Sequence, residues 1–259
     1  MKTMKNISKC LAAILLVVNL SSCVDLEPEP LSFFAPENTF MDKEGLEALL
    51  ITSRKQIKWE WFGDAFNAGY CETPLVYEYA WSDVSVMGAP EVKEIHNLET
   101  QLTPTTSMAL HLRYWDLAWN GIKYANTVIS RVPKSTIDNE TDKNELLAEG
   151  YFHRAYWYYL LVNQWGDVPL LLEEITEPKL DFYTVSRMKI LQQMKTDMEF
   201  AVKWLPKNVK PGCVNRAAGE HLLAKIYLST GDFQLAVDAT TRCINDYGLH
   251  LMKERFGVN

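Results

Sequence analysis

The chain has little cysteine, no block of positive charge and no long apolar run, and each shortage removes a class of function. Only five cysteines occur in 259 residues, with no CxxC pair and no His-Cys cluster. A disulfide framework and a structural zinc centre are therefore not expected, and Cys71, Cys213 and Cys243 read as separate small hydrophobes. Lys and Arg number 26 against 33 Asp and Glu, for a net charge of −7. Nucleic-acid affinity rests on Lys and Arg neutralising phosphates, so no nucleic-acid partner is expected. No apolar stretch approaches the roughly 20 residues needed to span a bilayer as a helix. Also missing are a nucleophile elbow, a phosphate loop, a dinucleotide glycine pattern and HExxH. The histidines, His96, His111, His153, His221 and His250, are scattered, which argues against a metal centre or a metal cofactor. Asp64, Glu72, Glu78 and Asp83 are candidates for a glycosidase pair. With so many acids in the chain, however, sequence spacing singles out none, and no catalytic residue is assigned.

What is present begins at the N-terminus. Lys2, Lys5 and Lys9 precede an apolar core from Cys10 to Val18, the layout of a secretory signal. Leu20-Ser21-Ser22-Cys23 resembles the lipobox of bacterial lipoproteins, which implies cleavage before Cys23 and lipidation of its thiol. Residues 1–22 are thus expected to be a signal peptide. Its removal takes away three lysines and no acid, leaving 23 Lys and Arg against 33 Asp and Glu, a net charge of −10. Several acyl chains at about 0.8 kcal/mol per buried methylene make a lasting membrane anchor. Residues 23–36 open with "VDLEPEP" after the cysteine, too acidic and proline-rich to pack, and read as an extended tether. Acids directly after a lipidated cysteine resemble a surface-export signal of Bacteroidetes-type bacteria.

Residues 37–259 read as one mainly α domain. Helices are expected over 42–58 (Leu46, Leu49, Leu50 and Ile57 on one side), 108–132 (ended by Pro133), 187–205 (ended by Pro206), 217–229 and 233–247. Another, within "NELLAEGYFHRAYWYYLLVNQWGDVPLLLEE", is apolar nearly all round, as a helix buried between neighbours must be. The last pair resembles a tetratricopeptide repeat: Ala224 and Ala236 allow close approach, Gly231 makes the turn, and Tyr227 and Phe233 should fill the gap to the next pair. Because one hairpin cannot bury both its faces, the other helices are expected to stack with it as degenerate tetratricopeptide-like hairpins. Trp115, Trp119, Trp157, Trp165 and Trp204 sit at packing spacing and are assigned to the core, and Arg154 and Tyr156 to structure.

Residues 59–88, "WEWFGDAFNAGYCETPLVYEYAWSDVSVMG", lack sustained helical periodicity and are rich in aromatic rings. Such rings stack on the apolar C–H faces of sugars, and two or three contacts of about 0.5 to 1.5 kcal/mol each suit capture and release. Trp59, Trp61, Tyr79, Trp81 and Asp83 are the candidate ligand-binding residues, Trp81 first because Ser82 and Asp83 flank it. The alternative, that the rings only anchor an irregular segment to the helices, stays open.

Taken together, the lipobox, "ENTFMDKEGLEALL", "YWDLAWNGIKYANTVISRV", "LLAEGYFHRAYWYYLLVNQWGDVPLL" and "CVNRAAGEHLLAKIYLSTGDFQLAVDATTRCINDYG" resemble the SusD/RagB family of nutrient-binding lipoproteins. Glu149, Arg154, Ala155, Tyr156 and Gly166 to Pro169 are the most telling residues. The resemblance implies a binder rather than an enzyme, lipid-anchored on the exterior of the outer membrane. Its implied partners are an oligosaccharide or related nutrient and a SusC-like TonB-dependent barrel that receives it. Members of that family are usually much longer, so the likeness is to their N-terminal half, and a truncated product, a fragment and a compact relative are alternative expectations. Two further readings are a lipid-anchored helical scaffold for a protein or peptide partner and, third in order, a lipoprotein glycoside hydrolase.

Overall fold

The computed structural model describes residues 40–62 and 109–251. Six α-helices occur among them: α1 (Lys43–Phe62), α2 (Ala109–Arg131), α3 (Glu140–Gln164), α4 (Arg187–Trp204), α5 (Arg216–Thr230) and α6 (Phe233–Asn245). A short 3-10 turn, Val132–Lys134, follows α2, and two-residue strands β1 (Val168–Pro169) and β2 (Thr184–Val185) lie between α3 and α4. The strands pair antiparallel, Val168 with Val185 and Pro169 with Thr184. Each helix packs against the next along the chain, which is the mainly α, hairpin-stacked arrangement expected.

Local chemistry sets the helix ends. The Asp42 carboxylate accepts the Gly45 N–H at 2.8 Å, Asn139 accepts from Thr141 and Asp142, and Asn215 accepts from Ala218 at 2.9 Å. Each side chain satisfies amide groups that the first helical turn leaves without carbonyl partners. At the other end of α5, Gly231 has φ of 83°, and the Asp232 N–H reaches back to the Tyr227 carbonyl at 2.9 Å. That left-handed cap strains any residue with a Cβ, so the glycine at the hairpin turn has a backbone cause.

The central helix is α3. Trp157, Tyr158, Ala155 and Leu161 are fully buried, and α3 contacts both α2 and α4, which explains its apolar circumference. Trp157 meets α2 at Gly121, where a Cβ would overlap the indole ring. A second cluster joins Leu46, Leu49 and Leu50 of α1 to Val128, Val132, Ile137 and Leu146. Burying an aliphatic or aromatic side chain of this kind contributes about 1.5 to 3 kcal/mol.

The structure corrects three expectations. First, α1 runs four residues past Lys58 and includes Trp59 and Trp61, so the irregular aromatic segment does not begin at 59. Tertiary packing extends the helix: Glu60 is 1 % exposed and accepts the Tyr156 hydroxyl of α3 at 2.6 Å, and Trp59 packs against the main core. Second, Phe233 is 66 % exposed, whereas its proposed companion Tyr227 is buried. Among the described residues no element covers the outer face of α6. Third, of the five tryptophans assigned to the core only Trp157 is fully enclosed; Trp115, Trp119, Trp165 and Trp204 lie half-buried at its margin.

Candidate functional site

Along α2, Trp115, Trp119, Ile122, Lys123 and Asn126 recur at steps of three and four, so they share one side of the helix. Facing them is the irregular segment from Pro169 to Phe182. A cavity of about 540 Å³ lies between, with Trp115, Trp119, Ile122, Leu171, Ile175 and Phe182 among its apolar walls. Phe182 is 45 % exposed and Ile175 47 %, so both present apolar surface to solvent. Lys123 and Glu173 stand exposed on the rim.

The tryptophan wall is held by edge-on ring contacts. Trp115 meets Trp119 at 5.4 Å between centroids and Trp165 at 5.2 Å, and Trp119 meets Tyr158 at 6.0 Å with the planes at 86°. Such tilted pairs place the positive edge of one ring against the negative face of another, fixing both orientations.

Beyond Pro169, which ends β1, the opposite wall has no regular secondary structure, so its backbone groups need side-chain partners. α2 and α3 supply them. The Leu171 N–H donates to the Tyr158 hydroxyl at 2.6 Å, and Asn126 Nδ2 donates to the Leu171 carbonyl at 2.9 Å. Arg154 Nη1 donates to the Leu172 carbonyl at 2.7 Å, and the Glu174 N–H donates to Ser130 Oγ at 3.0 Å. Arg131 clasps both oxygens of Glu174, at 2.9 and 2.6 Å. Burial raises the Tyr158 pKa well above that of an ordinary phenol, so its hydroxyl keeps the proton it donates to the Leu171 carbonyl at 3.3 Å.

Behind this wall Arg154, 3 % exposed, makes a two-pronged ion pair with Asp197 of α4, at 2.8 and 2.9 Å, and donates to Asn126 Oδ1 at 3.1 Å. Gln193 completes the set by donating to Asp197 at 3.0 Å. Helices α2, α3 and α4 and the wall are thus joined through one guanidinium.

A second ionic cluster lies under α1. Arg54 donates to both Glu149 oxygens, at 2.6 and 2.8 Å, and His153 Nε2 stands 3.4 Å from the same carboxylate. Burial disfavours the Glu149 carboxylate, but the His153 ring and the Arg54 guanidinium outweigh it and hold the pKa below the usual glutamate value. No group of three His, Cys, Asp or Glu among the described residues could hold a metal ion.

Of the ligand-binding residues proposed from sequence, only Trp59 has a described side chain. Trp59 lies half-buried on α1, with Lys55 Nζ 5.5 Å from its ring centroid, and is not among the described lining. Trp61 occupies the last turn of α1, and its side chain lies outside the described residues, as do Cys23, Tyr79, Trp81 and Asp83. Asp64, Glu72, Glu78 and Cys71 fall outside as well. What sequence reasoning missed is the double role of Trp115 and Trp119, which pack at the core margin and also line a cavity. The available signal was the company of Lys123 and Asn126 on the same stripe, since a wholly buried stripe carries no lysine. Phe182 gave no signal at all.

A family model described as SusD-like, "Starch-binding associating with outer membrane", matches residues 70–228, more than half of the sequence. The chain belongs to the SusD-like family. It is 27% identical over 238 residues to SusD-like protein P2 of Formosa agariphila, a match covering 90% of this chain and 45% of that protein. The SusD-like chain therefore spans about half the length of this curated relative. Two solved structures share its fold. One is a laminarin-binding SusD-like protein, with a TM-score of 0.68 and 22% identity over 81% of this chain and 46% of that one. The other is a crystal structure with xylogluco-oligosaccharide, with a TM-score of 0.62 and 21% identity over 80% of this chain and 41% of that one.

Proposed function

We propose that this SusD-like protein is a lipid-anchored binder of oligosaccharides, not an enzyme, that delivers its ligand to a SusC-like TonB-dependent barrel in the outer membrane. The observation that carries the reading is the match over residues 70–228 to a family described as starch-binding and associating with the outer membrane. Support for a glycan ligand comes from the laminarin-binding relative and the one crystallised with xylogluco-oligosaccharide. Cys23 carries the anchor, and the protein faces the cell exterior. Trp59, Trp61, Tyr79, Trp81 and Asp83 contribute the sugar contacts, the rings by stacking and Asp83 by accepting hydroxyl hydrogens.

The test has two parts. The full chain, tagged at its C-terminus and taken from outer membranes in mild detergent, should bring down a large TonB-dependent barrel identifiable by mass spectrometry. In calorimetry it should bind laminarin or a xylogluco-oligosaccharide, more weakly after Trp81→Ala. Absence of both barrel and sugar binding, with the lipidated protein present, sinks the reading.

One observation favours a second reading, a scaffold for a protein partner. Phe233, Val237 and Ile244 form an exposed stripe along α6, at 66, 56 and 64 % exposure. That reading predicts co-purifying proteins without any sugar binding.

A further inference from the structure

Resting on the glycan-binding reading, we infer that the cleft between α2 and the Pro169–Phe182 segment is a subsite for an uncharged sugar, with Trp115 and Phe182 as its stacking rings. Three observations carry this. The volume of about 540 Å³ falls within the range of roughly 300 to 1,000 Å³ found for small-molecule sites. Its walls are preformed: five side chains of α2 and α3, Asn126, Ser130, Arg131, Arg154 and Tyr158, fix residues 171–174, so binding does not have to order that segment. Finally, the charges of the described rim balance, because Arg131 is engaged with Glu174 and the exposed Lys123 and Glu173 carry opposite signs.

This combination selects a ligand chemistry. Aromatic walls offer stacking surface to a sugar whose equatorial hydroxyls leave flat C–H faces, and Lys123 and Glu173 offer a donor and an acceptor to hydroxyls at the edge. Among the described residues of the cleft a polyanionic glycan finds no excess positive charge. A fatty chain would fill the apolar walls but make no use of the donor and acceptor at the rim. The described lining of the cleft comes from α2 and the Pro169–Phe182 segment, none of it among the ligand-binding residues proposed from sequence.

The experiment is calorimetry on the full chain in detergent, titrated with a xylogluco-oligosaccharide, with a laminarin oligosaccharide and with an oligogalacturonate. Phe182→Ala and Ile175→Arg alter side chains that are about half exposed, so the fold survives, as an unchanged thermal melt will verify. Phe182→Ala should weaken binding of a neutral oligosaccharide about two- to tenfold, the loss expected for one aromatic contact. Ile175→Arg, which crowds the cleft, should weaken it at least as much. If Trp81→Ala weakens binding while both cleft variants bind as the parent does, the cleft assignment is overturned and the glycan-binding reading stands. If the parent binds none of the three sugars, the reading fails and takes the subsite with it. Oligogalacturonate binding that exceeds the neutral sugars and is lost in Phe182→Ala overturns the charge selectivity. Laurate binding lost in the same variants, with sugar binding unaffected, overturns the sugar assignment.

Discussion

Replacing Arg154 by methionine removes a group that touches α2, α4 and the wall of the cleft at once. The guanidinium makes four bonds between 2.7 and 3.1 Å, two of them to Asp197, which is itself only 4 % exposed. Without it, Asp197 keeps Gln193 as its described partner, and the Leu172 carbonyl loses its donor. Removing one member of a buried ion pair costs about 3 to 5 kcal/mol, mostly from stranding the other charge. For a unit the size of Phe40–Asn259, each kcal/mol moves the melting temperature by about 2 to 4 °C, so a fall of roughly 6 to 20 °C is expected. Urea unfolding followed by tryptophan fluorescence and by far-UV circular dichroism supplies the free energy independently. The double change Arg154→Met with Asp197→Leu should recover a large part of the loss, because no charge then remains buried alone. A single-variant loss below about 1 kcal/mol, or a double variant as unstable as the sum of the singles, refutes the reasoning. Sugar affinity should fall in the single variant even well below its melting temperature, since residues 171 and 172 lose an anchor.

Other expectations follow from individual contacts. Gly121→Ala places a methyl group against the Trp157 indole in a fully buried site, so it should destabilise by about 1 to 3 kcal/mol despite the better helix propensity of alanine; a melt no lower than that of the parent removes the close-approach argument. The Glu149 pKa is depressed in the folded chain, so the fold binds that proton more weakly than the unfolded chain. Its contribution is complete above the unfolded glutamate value of about 4.3 and fades as pH falls through the lower folded value. In Glu149→Gln the stability curve should flatten over that acid range, and an unchanged slope counts against the assignment. Burial, and then Glu220, raise the Cys243 thiol pKa against the opposing charge of Arg242. Alkylation of Cys243 near neutral pH should therefore run slower than that of a free cysteine under the same conditions, as peptide mass spectrometry will show; equal rates contradict the burial.

The sequence alone determined the helical body, because the apolar positions of α2, α4 and α5 repeat at the helical period and carry their stop signals at Pro133, Pro206 and Gly231. Nearest-neighbour chemistry of that kind is readable wherever its parts lie within a few residues. It also determined that α3 is buried, since a helix with aromatic residues on every side has no face to offer water. The family was legible in the same way, from motifs that are short and local. Tertiary structure decided what depends on residues far apart in the chain. α1 continues through Trp59 because Glu60 is held by Tyr156, 96 positions away, a contact invisible to any periodicity. Trp115 and Trp119 have the spacing of core residues, and only the path of the Pro169–Phe182 segment, held by Tyr158, Asn126 and Arg154, leaves a cavity against them rather than another helix. The same holds for Phe233: its position in the hairpin specifies an apolar outward face, but whether that face is covered is set by what packs beside it.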